Sequence, residues 1–415
     1  ATGEILHSEN KILFTDVSGT VSGMATEGSA ADQCNAESAV GLPHALVQIS
    51  GGNSAYADAN GNFTISNSGT AAVTVQSGMT GHYFYVDNVA GSEETLSTSV
   101  TPPGPADFLH NSANTDEAVR AQINGYLQAN YTRDWVLAQN PSYPTIAGQT
   151  NFPVYVNRAD GYCPGNAWYD GVSINFCSSS STYGNTAFQS VIAHEYGHHA
   201  VEMAGTGQDQ YGEGMADCFS LIQADDPRLG VGFYVSDCAS GLRDADNTMQ
   251  YPCNDEAHAC APLLSGCIWS LRNELVVTEP VNYLDILSNL TVNSILLRDA
   301  GAYQITRNIY TDFLTLDDDN GDLGDGTPHY NEIFAAFDAH NMVPGPAPAN
   351  DNCADAIFAC TDTPYTGDTT DATNDGSASC GTSNDSPDVW YLYVPSTNGT
   401  LTASLCTGTS YDSAM

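Results

Sequence analysis

The chain has 415 residues, enough for two or three domains at roughly 150 residues each. Its 49 Asp and Glu against nine Lys and Arg leave a formal charge of −40, which argues against nucleic acid or anionic membrane as a partner, since both need a basic face to neutralise phosphate. No apolar stretch approaches the roughly 18 residues of a membrane span, so no membrane insertion is expected. Twelve cysteines without CxxC spacing read as the disulfides of an exported protein. The opening Ala-Thr-Gly-Glu-Ile-Leu-His-Ser-Glu-Asn has neither a basic nor an apolar leader region, and a mature secreted form is expected.

In chain order, residues 15–100 are rich in Gly, Ser, Thr and Val, and alternating runs at 45–49 and 71–76 predict strands. Asp-Ala-Asn-Gly-Asn-Phe at 58–63 carries an Asn-Gly turn signal between two such runs and predicts a hairpin. With its strand followed by this D-x-x-G-x-F turn, the stretch resembles the carboxypeptidase-regulatory-like β-sandwich modules. That resemblance implies a sandwich, and such a fold carries no activity by itself. Thr-Pro-Pro-Gly-Pro at 101–105 predicts a stiff linker, and 116–127 turns to helical spacing. An N-terminal module and linker are therefore expected over 1–105, with a new domain from 106.

The densest chemistry lies at 185–199, Asn-Thr-Ala-Phe-Gln-Ser-Val-Ile-Ala-His-Glu-Tyr-Gly-His-His. Thr186 with Gln189 predicts a capping box, and Phe188, Val191 and Ile192 an apolar helical face. His194 and His198, four apart, project from one face at the spacing that lets two imidazoles reach a single zinc. His199 falls off that face. Glu195 is placed beside the open coordination position, where it can accept a proton from water. Two histidines leave a tetrahedral zinc one protein ligand short, and Glu213 in Tyr-Gly-Glu-Gly-Met-Ala-Asp at 211–217 is the candidate. Asp217, one turn later, is placed to hold the outer N–H of a ligand histidine.

HExxH followed by a Glu with an Asp four later resembles the gluzincin metallopeptidases, and the segment around Glu213 is closer to the fungalysin form than to thermolysin, which has Asn at the place of Gly212. Gly-Asn-Ala-Trp-Tyr at 165–169 is similar to the Asn-Ala edge strand of both groups. His258 ahead of Ser-Gly-Cys-Ile-Trp-Ser-Leu-Arg at 265–272 is similar to a fungalysin-like run. The resemblance implies His194, His198 and Glu213 as zinc ligands, Glu195 as general base, Asp217 as the acid behind a ligand, and Asn166 and Ala167 lining the substrate cleft. For the donor that steadies the transition state, His258 is preferred over His329, which also precedes an apolar helix and resembles a thermolysin His-x-Asn segment. The connection from His198 to Glu213 is shorter than in either relative. No match to the inhibitory propeptide of those families is found at the N-terminus, which leaves the role of residues 1–105 open.

Asp317, Asp319, Asp322 and Asp325 lie within the run 317–326, which suits either Ca²⁺ or a solvated acidic turn and does not meet the EF-hand spacing in full. A helix is expected at 332–339, and the proline cluster at 344–349 closes the domain. Residues 388–394 and 399–406 resemble the start of a pre-peptidase C-terminal-like jelly roll, expected as a truncated module over 345–415. The fold class expected is multidomain, an α+β gluzincin-like metallopeptidase domain at 106–344 flanked by all-β sandwich modules. The function expected is that of a secreted zinc metallopeptidase acting on protein or peptide substrates. Endopeptidase action is favoured because no segment resembles the Gly-x-Met-Glu-Asn amine anchor of gluzincin aminopeptidases. The rival reading is a secreted adhesive or carbohydrate-binding protein whose metal domain is inactive, with surface or carbohydrate binding in the β modules.

Overall fold

The computed structural model describes residues 15–369, 371–373, 387–395 and 397–404, and the chain divides into two compact units, Ala1–Met342 and Val343–Met415. The first unit mixes α and β structure. Its strands are β1 (Val17–Thr26), β2 (Glu37–Gly41), β3 (Ala45–Ile49), β4 (Ser54–Tyr56), β5 (Asn62–Ile65), β6 (Val73–Gly81), β7 (Phe84–Asn88), β8 (Thr95–Val100) and β9 (Phe108–His110). After helix α1 (Glu117–Gln139) come β10 (Phe152–Arg158), β11 (Ala167–Tyr169) and β12 (Ile174–Cys177). The remainder is α2 (Gln189–Met203), α3 (Asp209–Ala224), the two-residue strands β13 (Arg228–Leu229) and β14 (Arg243–Asp244), α4 (Ala257–Thr278), α5 (Tyr283–Ser294), α6 (Asn308–Asp317) and α7 (Tyr330–Asp338).

An eight-stranded sheet runs β11-β12-β10-β7-β6-β3-β4, with β8 also on β6, and a smaller sheet gathers β2, β5 and β9 around β1. The boundary expected near 105 is not a break in the fold, because β7 pairs parallel with β10 from Phe152↔Phe84 to Val156↔Asn88. Alternation reports which residues face a core but not which strand lies alongside. The hairpin expected around 58–63 is also absent. The turn forms, with Asp58 Oδ1 accepting from the N–H groups of Asn60 and Asn62 at 2.8 and 2.9 Å, yet β4 pairs with β3 and β5 with β1. Inside this region Ser77 Oγ, His110 and Glu94 form a chain at 3.0 and 2.9 Å. Its order is that of a nucleophile, a base and an acid, but Ser77 is 2% and His110 0% exposed, so it joins strands rather than meeting substrate.

Among the described residues three disulfides form: Cys34–Cys238, Cys163–Cys177 and Cys253–Cys260. The first spans 204 residues, for which a chain-entropy account gives on the order of 5 kcal/mol of stabilisation. The expectation that every cysteine pairs does not hold among the described residues: Cys218 and Cys267 are buried thiols, and Cys353 and Cys360 are exposed ones. Burial pushes the first two well above the ordinary thiol range, and they serve as small apolar residues of α3 and α4. Cys380 and Cys406 lie outside the described residues. Among its described residues the second unit contains one short parallel pair, β15 (Ile357–Phe358) with β16 (Tyr391–Leu392). Within it, Asp351 accepts from the backbone and hydroxyl of Thr373 at 2.6 and 2.9 Å.

In the first unit α3 packs between α2 and α4. A Cβ on Gly197 of α2 would stand 2.8 Å from the Ala216 Cα of α3, so the missing side chain is what lets these two backbones touch. Gly197→Ala should therefore destabilise by about 1–3 kcal/mol, the range for overpacking, against the roughly 1 kcal/mol that Ala would otherwise add to a helix. A denaturation midpoint equal to or above that of the parent would show that the helices do not need this approach.

Candidate metal centre

The predicted capping box does not form. Phe188 is the N-cap of α2 without a side-chain bond, because the Thr186 hydroxyl is engaged elsewhere, accepting from Cys177 N–H at 2.8 Å and donating to the Asn166 carbonyl at 3.0 Å. The helix is held by burial instead, with every residue from Ser190 to Val201 inside. His194, Glu195 and His198 are 6%, 6% and 9% exposed. His194 Nε2 and His198 Nε2 lie 3.2 Å apart, and Glu213 places Oε2 at 3.4 Å from the first and Oε1 at 3.4 Å from the second. Among the described residues, this is the one set of three or more His, Cys, Asp or Glu side chains whose ligand atoms converge.

The neighbours fix which ring nitrogens carry protons. Gln208 donates its amide N–H to the His198 carbonyl at 3.0 Å, which turns its Oε1 toward His198 Nδ1 at 2.7 Å and makes that nitrogen a donor. Gly212 leaves the room for this, since a Cβ there would stand 2.7 Å from Gln208 Oε1. His194 Nδ1 lies 3.0 Å from Asp217 Oδ1, an acceptor, so it too donates. Both Nε2 atoms then turn lone pairs inward, toward each other and toward the Glu213 carboxylate, whose Oε2 is a buried atom with no hydrogen-bond partner. Lone pairs at this spacing repel unless positive charge lies among them. Burial opposes charge on His194, yet the Asp217 and Glu213 carboxylates raise its pKa to about 10, so the cluster demands a proton or a cation in its place. Burial likewise opposes charge on Glu213, but the imidazoles of His194 and His198, when they carry charge, hold its carboxyl far below the ordinary range. One ligand atom from each of the three residues lies within 4.8 Å of the others, close enough for a single metal ion to be shared among them.

Arg243, on β14, grips Asp217 through Nη2 at 2.6 Å and Nε at 2.8 Å and stands 3.7 Å from Glu213 Oε2. Burial raises the pKa of Glu195, with the charges of His194 and His198 pulling the other way. His258, in the first turn of α4, has Nδ1 3.0 Å from Glu256 Oε2 and Nε2 3.2 Å from Glu213 Oε1, with its side chain 61% exposed. The disulfide Cys253–Cys260 closes the loop that presents it. His329 lies elsewhere, its Nδ1 2.6 Å from Asp317 Oδ1. Exposed Asn166 and half-buried Ala167 stand at the start of β11, the edge of the large sheet.

The acidic run does not gather. Asp317 is occupied by Thr327 and His329, Asp325 accepts from Asn320 at 3.0 Å, and Asp322 accepts from Gly324 N–H at 3.0 Å. With Asp319 they do not make a convergent group of three or more side chains among the described residues.

No family model matches the chain, and no curated protein does. Among solved structures, the precursor of protealysin, a metalloproteinase from Serratia proteamaculans, is similar with a TM-score of 0.45 at 12% identity, over 63% of this chain and 87% of that chain.

Gln208 and Arg243 were not singled out by motif. Arg243 had a signal, since with nine Lys and Arg in the chain each cation is a prospective partner for a buried acid. Gln208 had none, because its role comes from the short turn between α2 and α3. Gln208→Ala should lower metal affinity about 10- to 100-fold with the fold intact. Competition with a chromophoric chelator reads this directly, and unchanged affinity would remove Gln208 from the site.

Proposed function

We propose that the protein is a secreted zinc-dependent metallopeptidase, an endopeptidase acting on protein or peptide chains. The observation that carries this reading is the convergence of His194, His198 and Glu213 about a buried, partnerless carboxylate oxygen, with Glu195 next to His194 on the same helix. Two imidazoles and one carboxylate form a ligand set of catalytic zinc, which leaves a coordination position open. Zinc held there supplies Lewis acidity toward water and the scissile carbonyl.

The chain's own residues do the rest. Glu195 takes a proton from the attacking water and returns it to the leaving amine, and a carboxyl raised by burial suits a group that must both bind and release a proton. His258, held through Nδ1 by Glu256 and with Nε2 3.2 Å from Glu213 Oε1, stands at the edge of the cluster, where it would serve as a donor to the oxygen on which charge develops. Asp217 holds the His194 ring, and Arg243 holds Asp217. The exposed edge at Asn166 and Ala167 offers backbone for pairing with an extended peptide. Three disulfides and a charge of −40 support export.

Glu195→Gln should retain one equivalent of zinc by elemental mass spectrometry while casein hydrolysis falls about 100- to 10,000-fold. Full activity in that variant, or a protein that takes up no zinc, would reject the assignment. His258→Ala at matched zinc should lower kcat about 100- to 1000-fold with KM little changed, whereas His329→Ala should stay near the parent rate. The opposite pattern would transfer the role to His329.

A further inference from the structure

Strand β11 is short for the task proposed for it. Its ladder consists of Ala167↔Phe176, Trp168↔Asn175 and Tyr169↔Ile174, all to β12, and its other edge is open. Three residue pairs on one side leave a strand prone to fraying. The strand has a second attachment at its far end, and it leads to the metal-bearing helix. The Tyr169 hydroxyl donates to the Gly171 carbonyl at 2.9 Å and lies 3.0 Å from His199 Nδ1. The hydroxyl thus bridges the turn that follows the strand and the imidazole on α2.

The other side of the His199 ring is closed as firmly. Nε2 lies 2.9 Å from Gln149 Oε1, which also accepts from the Tyr196 hydroxyl at 3.0 Å. The ring is 4% exposed and lies among Phe152, Tyr196 and Tyr169, with centroids at 4.5, 5.3 and 5.5 Å. It has little freedom to move, and it follows directly on His198.

We propose that His199 is a positioning residue, fixing the edge strand β11 against α2 so that the strand's backbone keeps a set distance from His194 and His198. One face of the helix carries the ligands and another carries the tether, so the metal and the substrate-pairing strand share a rigid support. The contribution to peptide hydrolysis rests on the function proposed above. The anchoring itself does not.

The experiment uses the full zinc-loaded protein and four variants: Tyr169→Phe, His199→Phe, the double variant, and His199→Gln, which retains an N–H donor. Amide exchange over residues 166–169 should speed up about 10-fold or more in the first two and return toward the parent in His199→Gln. The double variant should be no worse than either single one, since both remove the same bond. Zinc content should be unchanged throughout. With peptides long enough to lie along β11, KM should rise about 10-fold, while a minimal dipeptide amide should be cleaved at the parent rate. Unaltered exchange in both Tyr169→Phe and His199→Phe overturns the proposal, as do additive effects in the double variant or equal losses on long and minimal substrates. Tyr169→Phe removes a single oxygen and keeps the test valid if His199→Phe does not fold. A protein that cleaves no peptide but shows the exchange pattern retains the anchor and loses the peptidase reading.

Discussion

Glu213 reaches the two imidazoles only because α2 and α3 pass backbone against backbone at Gly197 and Ala216. Were the helices spaced by ordinary side chains, a carboxylate on α3 could not stand 3.4 Å from nitrogens on α2. The other contacts follow from the same crossing. Asp217 comes one turn after Glu213 and so faces His194, while Gln208 comes just before α3 and so faces His198. Sterics at one residue thus set the ligand spacing, and hydrogen bonds from the adjoining turns then set the tautomers.

Charge imposes a second constraint. Arg120, Arg158, Arg228, Arg272 and Arg298 are each held by Asp or Glu near the surface or between elements, and Arg243 is the cation delivered to the buried acids of the centre. Asp217, Glu213 and Glu195 are all inside, where an unpaired carboxylate costs several kcal/mol. A bidentate guanidinium on Asp217 offsets part of that cost and leaves the face of Glu213 toward the histidines free. In so acidic a chain, the position of an arginine carries more information than the position of any one carboxylate.

The convergence of these side chains was legible in the sequence because helical periodicity converts a four-residue spacing directly into a shared face. His194 with His198, and Glu213 with Asp217, needed no tertiary knowledge to be paired. His258 was reached by resemblance, and the structure brings it to within 3.2 Å of Glu213. What failed depended on partners distant in sequence. Thr186 looked like a cap but serves the Asn166 carbonyl, twenty residues earlier. Residues 58–63 turn as expected while the strands on either side pair elsewhere. The break at 105 was read from prolines, which report local stiffness and not sheet membership.

The bond between Cys34 and Cys238 encloses the edge strand, the ligand helix and Glu213 within one covalent ring. A single cut anywhere inside that ring opens it without releasing a fragment. In a molecule exposed to peptidases, a nicked chain would keep both pieces tethered and migrate as one species until the disulfide is reduced. Apparent integrity on a non-reducing gel is therefore no measure of backbone continuity in this protein, and preparations that differ in age can look identical while differing in how many of their loops remain whole.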